Sequence, residues 1–227
     1  MTKRAKQDDQ AATATVPLGT KLTPSQSRAR TTFEAVLTTA GELLGEVGFE
    51  RLSTNLVCER AGMTPPALYR YFPNKYAILS ELARRLMEAQ DEAVFAWIQA
   101  GGLDARNLAE AVASNVHMQK KVNEITRQAP GGVWIMRALR AIPMLRDIRV
   151  ESRDKVAEQI GESLRAMYPA VPEVELYRSA RLTTEVMYAA TELVLEEPDQ
   201  DEDRINEDVC WMVALHYQRL AAEYAKS

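Results

Sequence analysis

The stretch AGMTPPALYRYFPNK, residues 61–75, sets two adjacent prolines beside a Leu-Tyr-Arg-Tyr-Phe run. Proline breaks most helices. In the first helical turn, however, its missing N–H leaves no intrahelical bond unmade, and its fixed φ already suits the helix. With Thr64 as cap, Pro65 and Pro66 fall at the first two helical positions, and the spacing predicts a short helix over 65–72. Gly62 permits a sharp turn before it and Pro73 stops it. Asn74 then caps a further helix with apolar positions Ile78, Leu79, Leu82 and Leu86. Ala67, Leu68 and Phe72 are placed to anchor the short helix, which leaves Pro65, Pro66, Tyr69, Arg70 and Tyr71 for an outside partner.

Upstream, Ser53 can cap a helix over TNLVCERA, with Leu56, Val57 and Ala61 turned inward. Before that, Phe33, Val36, Leu37, Ala40, Leu43, Leu44 and Val47 recur at spacings of three and four, the apolar face of a longer helix that Gly48 ends. Phe49 and Leu52 anchor the break that follows. Two short helices across a glycine turn, braced by longer ones, form a helix-turn-helix over about residues 53–72.

The segment LSTNLVCERAGMTPPALYRYFPNKYAILSEL, residues 52–82, resembles the DNA-binding signature of the tetracycline-repressor (TetR) family of bacterial regulators. Matching positions are Thr54, Ala61-Gly62, Thr64, Leu68-Tyr69-Arg70-Tyr71-Phe72 and Asn74-Lys75. The resemblance covers roughly residues 30–90 and implies a DNA-contacting set. Thr54 would bind phosphate at a helix amino-terminus. Pro65, Pro66 and Ala67 would lie nearest the bases, where apolar groups meet thymine methyls, and Thr64, the cap, belongs to the same DNA-contacting set. Tyr69 and Tyr71 would reach the backbone and Lys75 a phosphate, while Arg70 either reads guanine or neutralises phosphate. Structural readings stand beside these: Tyr69 as a packing residue, Thr54 as a cap only, Lys75 as a solvated charge. The paired prolines replace the more usual polar residues, which moves readout from hydrogen bonding toward DNA shape.

Glycine and proline punctuate helical segments from Asp91 onward, and no strand-like alternation persists, so the chain reads as all-α. Three parts are expected: a flexible tail over 1–27, a DNA-binding domain over 28–90, and a larger helical domain for ligand binding and dimerisation over 91–227. Lys21, Arg28 and Arg30 read as a basic tail rather than a minor-groove arm. Two long helices, roughly 173–197 and 202–225, are joined by EEPDQDED and should pack antiparallel. The resemblance implies that they form a dimeric four-helix bundle. Their stripes nominate Leu176, Ala180, Thr184, Met187, Leu195, Val209, Met212, Val213, Tyr217 and Leu220 for the dimer interface. It also implies that helices five to seven enclose a small-molecule inducer, with Trp97, His117, Met118, Trp134, Met136, Met187, Tyr188 and Trp211 as candidate lining. That lining suits an apolar or amphipathic ligand. Among Arg137, Arg140, Arg146, Arg149 and Arg153, one could meet an anionic ligand group.

Composition narrows the function classes. The net charge of −4 and pI near 5.4 argue against a sequence-indifferent architectural DNA binder, although the first 90 residues carry a small positive excess. Two separated His, two separated Cys and no HExxH pairing argue against an all-α enzyme and against a metal site. No apolar run is long enough to span a bilayer, no secretory h-region follows the charged start, and two scattered thiols suit a reducing cytoplasm. The expectation is a homodimeric repressor, or less commonly an activator. Its partners would be double-stranded operator DNA and a small-molecule inducer, with no cofactor and no membrane.

Overall fold

The computed structural model describes residues 16–21 and 27–225, and regular structure among them is helical throughout. Several helices start on a side-chain oxygen that accepts one of the unpaired N–H groups of a first turn. Ser53 accepts from Leu56 N (3.1 Å) to open α2 (Thr54–Arg60), and Asn74 accepts from Ala77 N (2.9 Å) to open α4 (Lys75–Gln99). Asn107 does so for α5 (Leu108–Gln128) and Asp201 for α9 (Glu202–Tyr224). Helix α1 (Ser27–Arg51) bends at Gly48, whose φ of 72° lies in the left-handed region that favours glycine.

Between α2 and α4, α3 (Pro65–Tyr69) is shorter than expected, because residues 70 and 71 form a turn and Phe72 follows outside the helix. Thr64 caps it through backbone alone: its carbonyl accepts from Ala67 N (3.0 Å) and Leu68 N (3.3 Å), and its hydroxyl makes no cap bond. Phe33, Val36, Leu44, Leu52, Val57, Leu68, Phe72, Ile78 and Leu79 are all buried in one core. That core continues along α4 into α5, α6 (Gly132–Ala141) and α7 (Arg146–Leu164), so α4 belongs to both halves of the molecule. A short 3₁₀ turn, Pro143–Leu145, links α6 to α7. Helix α7 packs along α8 (Glu173–Glu196), and α5 packs along α9.

The expected tail falls largely outside the described residues, but residues 16–21 lie against the α3–α4 turn. Lys21 N donates to Tyr71 O (2.7 Å) and Asn74 Nδ2 to Pro17 O (3.0 Å).

The nominated dimer stripe needs correction. Leu176, Ala180, Thr184, Val209, Val213 and Leu220 are buried inside the protomer, Met187, Leu195 and Tyr217 are half-buried, and only Met212 is exposed, at 63%. Each of these helices carries two apolar stripes, and periodicity picks the denser one, which here faces the chain's own core. Outward on α8 and α9 are instead Leu182, Leu193, Met212 and Leu215.

Candidate nucleic-acid interface and interior cavity

The amino-terminal end of α3 is presented to solvent. Thr64, Pro65, Pro66, Tyr69 and Arg70 are exposed, Ala67 is half-buried, and Leu68 and Phe72 are fully buried anchors. Tyr71 departs from its expected outward role. It is 5% exposed and meets Phe33 edge-on at 5.9 Å, while Phe33 stacks on Phe72 at 4.8 Å. The helix ends before position 71, so the turn directs that ring inward.

Thr54 Oγ1 and Tyr69 OH share a hydrogen bond of 3.0 Å that ties α2 to α3. Lys75 Nζ donates to Phe49 O (3.2 Å) and lies 4.3 Å from the Phe49 ring centroid. Lys21 Nζ donates to Tyr69 O at 3.2 Å and Arg51 Nε to Val47 O at 3.2 Å. Among the described residues no carboxylate pairs with Lys21, Arg51, Arg70 or Lys75. Three other cations of this half are neutralised, Arg60 by Glu46, Arg84 by Glu81 and Glu88, and Arg85 by Glu34 and Glu81. The hydrogen bond from Arg85 holds the Glu34 carboxyl below its ordinary range. The rim around α3 therefore keeps these four cations free of ion pairs, while Glu34, Glu46 and Glu81 are taken up by other arginines. Reading the sequence missed Arg51 and set Lys21 aside, since only the fold shows which cations lack partners.

The larger half encloses a cavity of about 350 Å³ between α4, α5, α7, α8, α9 and the loop before α5. Of the nominated lining, Trp97, Met118, Met187 and Tyr188 face it. The others lie elsewhere. His117 is exposed, Trp134 packs on Gly48 under Arg137, and Met136 is buried beside Gln90. Trp211 belongs to a separate apolar cluster with Val112, Ala190 and Cys210. Helix α6 contributes no lining, whereas α8 and α9 do; Thr184, Val213 and Tyr217, nominated for a dimer face, are cavity residues.

The cavity's polar groups are sparse and mostly satisfied. Tyr217 OH and Thr183 Oγ1 lie 3.1 Å apart, and Gln119 Nε2 donates to Met187 O and Thr191 Oγ1, both at 2.9 Å. Thr184 Oγ1 is buried without a partner, and the Tyr188 oxygen has only the Arg153 guanidinium beside it. Burial pushes the phenols of Tyr188 and Tyr217 up to about 12, so both stay protonated donors near neutrality. Arg137, Arg140, Arg146 and Arg149 each pair with a carboxylate, but Arg153 is 1% exposed with its guanidinium 3.0 Å from the Tyr188 ring centroid. Burial raises the thiols of Cys58 and Cys210, the latter to about 12, which suppresses thiolate chemistry.

Residues 36–82 match the family described as bacterial regulatory proteins, tetR family. The tetracycline repressor protein class C of Escherichia coli is 50% identical over 54 residues, covering 24% of this chain and 25% of the repressor. The class A repressor from transposon 1721, also from Escherichia coli, is 44% identical over 52 residues, 23% of this chain and 24% of that protein. The chain thus matches about a quarter of the length of these curated relatives. Among solved structures, a TetR-family transcriptional regulator from Streptomyces coelicolor aligns with TM-score 0.56 and 24% identity over 83% of this chain and 99% of that one. The SmeT–triclosan complex aligns with TM-score 0.62 and 19% identity over 82% and 91%. GusR of Salmonella enterica aligns with TM-score 0.57 and 18% identity over 89% and 99%.

Proposed function

We propose that this chain, a TetR-family regulator by its amino-terminal domain and its fold, is a homodimeric repressor of a palindromic operator, released by a small apolar or amphipathic inducer. The observation that carries the DNA-binding part is the exposed start of α3 ringed by Lys21, Arg51, Arg70 and Lys75, none of them ion-paired among the described residues. Phosphates would supply the missing anions, and apolar Pro65 and Pro66 would face the groove floor.

A second copy would join through the outward stripe of Leu182, Leu193, Met212 and Leu215, and two α3 helices would address half-sites about 34–36 Å apart. The 350 Å³ cavity supports an inducer, and triclosan in the SmeT complex is a small apolar molecule of the kind envisaged. Ligand that favours a different spacing of the two α3 helices would shift the population off DNA. Localisation in the cytoplasm fits this role.

Fluorescence anisotropy with DNA from upstream of the chain's own gene tests the reading. A salt-sensitive preference for a palindrome over scrambled DNA is expected. Equal affinity for both would end it.

A further inference from the structure

We infer that the cavity is built for an amphipathic ligand with an apolar tail and a single carboxylate-like head, seated against Thr184 and Tyr188 on the side of Arg153. The inference rests on reading this cavity as the effector site. Thr184 and Tyr188 stand four residues apart on α8, so their side chains share a face one turn apart. Both line the cavity and both are at least 95% buried; the Thr184 hydroxyl lacks a hydrogen-bond partner, and the Tyr188 oxygen has only the Arg153 guanidinium beside it, which leaves its O–H without an acceptor. Buried hydroxyls are ordinarily paired, and two O–H groups without an acceptor on one wall mark where an acceptor belongs. Elsewhere the wall offers Val94, Val122, Val156 and Ile160, which suit a hydrocarbon tail.

Arg153 decides the charge of the head. Its guanidinium lies on the Tyr188 ring, its Nε has no partner, and its Nη1 reaches only Met87 Sδ at 3.8 Å. No carboxylate among the described residues comes within ion-pair distance of it. Asp91 accepts from Ser152 Oγ (2.7 Å), and Glu185 is held by Arg149 and Arg181. Glu185, Asp91 and Glu192 act on this buried cation through space only, without a direct ion pair, and an anion bound at the Tyr188 hydroxyl would supply the direct contact that they do not. A cationic head would be repelled by the guanidinium. The protonated phenol, donating toward the head beside a positive charge, makes the charge-assisted kind of hydrogen bond.

The test is calorimetric titration of the full chain, free of DNA, with octanoate, decanoate and dodecanoate, and with the alcohol and alkylammonium of each length. The carboxylate should bind roughly tenfold tighter than the matched alcohol, with the ammonium weakest. Tyr188→Phe, which keeps the ring under Arg153, should remove most of that preference, and Thr184→Val part of it, while thermal melts stay cooperative. Alcohol binding as tightly as carboxylate at every length, or a preference untouched in Tyr188→Phe, overturns the inference. Operator release is read separately by anisotropy. A selective carboxylate that leaves the operator complex intact would support the head-group site and sink the inducer reading, while operator release by alcohol and carboxylate alike would do the reverse.

Discussion

Arg70 and Tyr71 are adjacent in the chain, yet α3 ends at Tyr69 and the turn that follows leaves Arg70 in solvent and sets Tyr71 against Phe33. Arg70→Ala should therefore weaken operator binding about tenfold and make the salt dependence shallower by about one counterion, read from anisotropy at several salt concentrations. Tyr71→Ala should instead act on folding, through a lost core ring. Asp91 gives a pH signature. Burial, opposed by Ser152, Arg153 and Lys155 and reinforced by Glu88, pushes its carboxyl up to about 6. A folded state that holds the proton more tightly than the unfolded chain gains stability fully present below about pH 4 and lost as pH rises through 6. The unfolding free energy of the wild type, from urea titration, should fall across that window relative to Asp91→Asn by about 2 to 3 kcal/mol. A parallel pH slope for the two proteins would show that Asp91 titrates normally. Charged and capping residues of this kind were legible as residue types, but partner and burial were not.

At the scale of elements, α3 has five residues, far below the length at which a helix stands alone in water. It exists because Leu68 and Phe72 are pinned in the core while Pro65 and Pro66 preset the first turn. Leu68→Ala should destabilise the fold by about 2 to 5 kcal/mol in chemical denaturation and loosen operator binding with it. Asn74 does two jobs, capping α4 and donating to Pro17 O. Asn74→Ala should cost about 1 kcal/mol of stability and free residues 16–21 from the α3–α4 turn, visible as faster amide exchange at Lys21. Caps and breakers were readable because their chemistry is local: Ser53, Asn74 and Gly48 act within a few residues of themselves. Helices α8 and α9 were readable in extent and misread in orientation, because two apolar stripes look alike until neighbours choose between them.

For the whole molecule, the two halves are joined by α4 and by a close approach of α1 to the start of α6. A Cβ on Gly41 would sit 2.6 Å from Pro130 O, and one on Gly131, at φ +70°, 2.4 Å from Gly41 O. Backbone stands in the way at both positions, so Gly41→Ala should push α1 off α6. The expected readout is a lower Tm together with weakened coupling between ligand and DNA binding; an unchanged coupling ratio would show that α4 alone carries the signal. The outward stripe makes a second prediction at this scale. Leu182→Glu combined with Leu215→Glu should give a monomer in sedimentation velocity and abolish high-affinity operator binding, while leaving the buried stripe and the melting profile nearly intact.

The sequence alone determined the all-helical class, the helix-turn-helix and the positions of its caps, because capping, proline geometry and helical periodicity are properties of neighbouring residues. Proline placement in AGMTPPALYRYFPNK was enough to predict a helix start where proline more often makes a break. Tertiary structure decided which cations around α3 stay unpaired among the described residues, that Tyr71 is core, and that Thr184 and Tyr217 line a cavity. Those outcomes depend on residues far apart in the chain, such as Lys21 meeting Tyr69 and Arg153 meeting Tyr188. Burial and ion pairing are properties of the assembled whole, and no periodicity within a single helix encodes them.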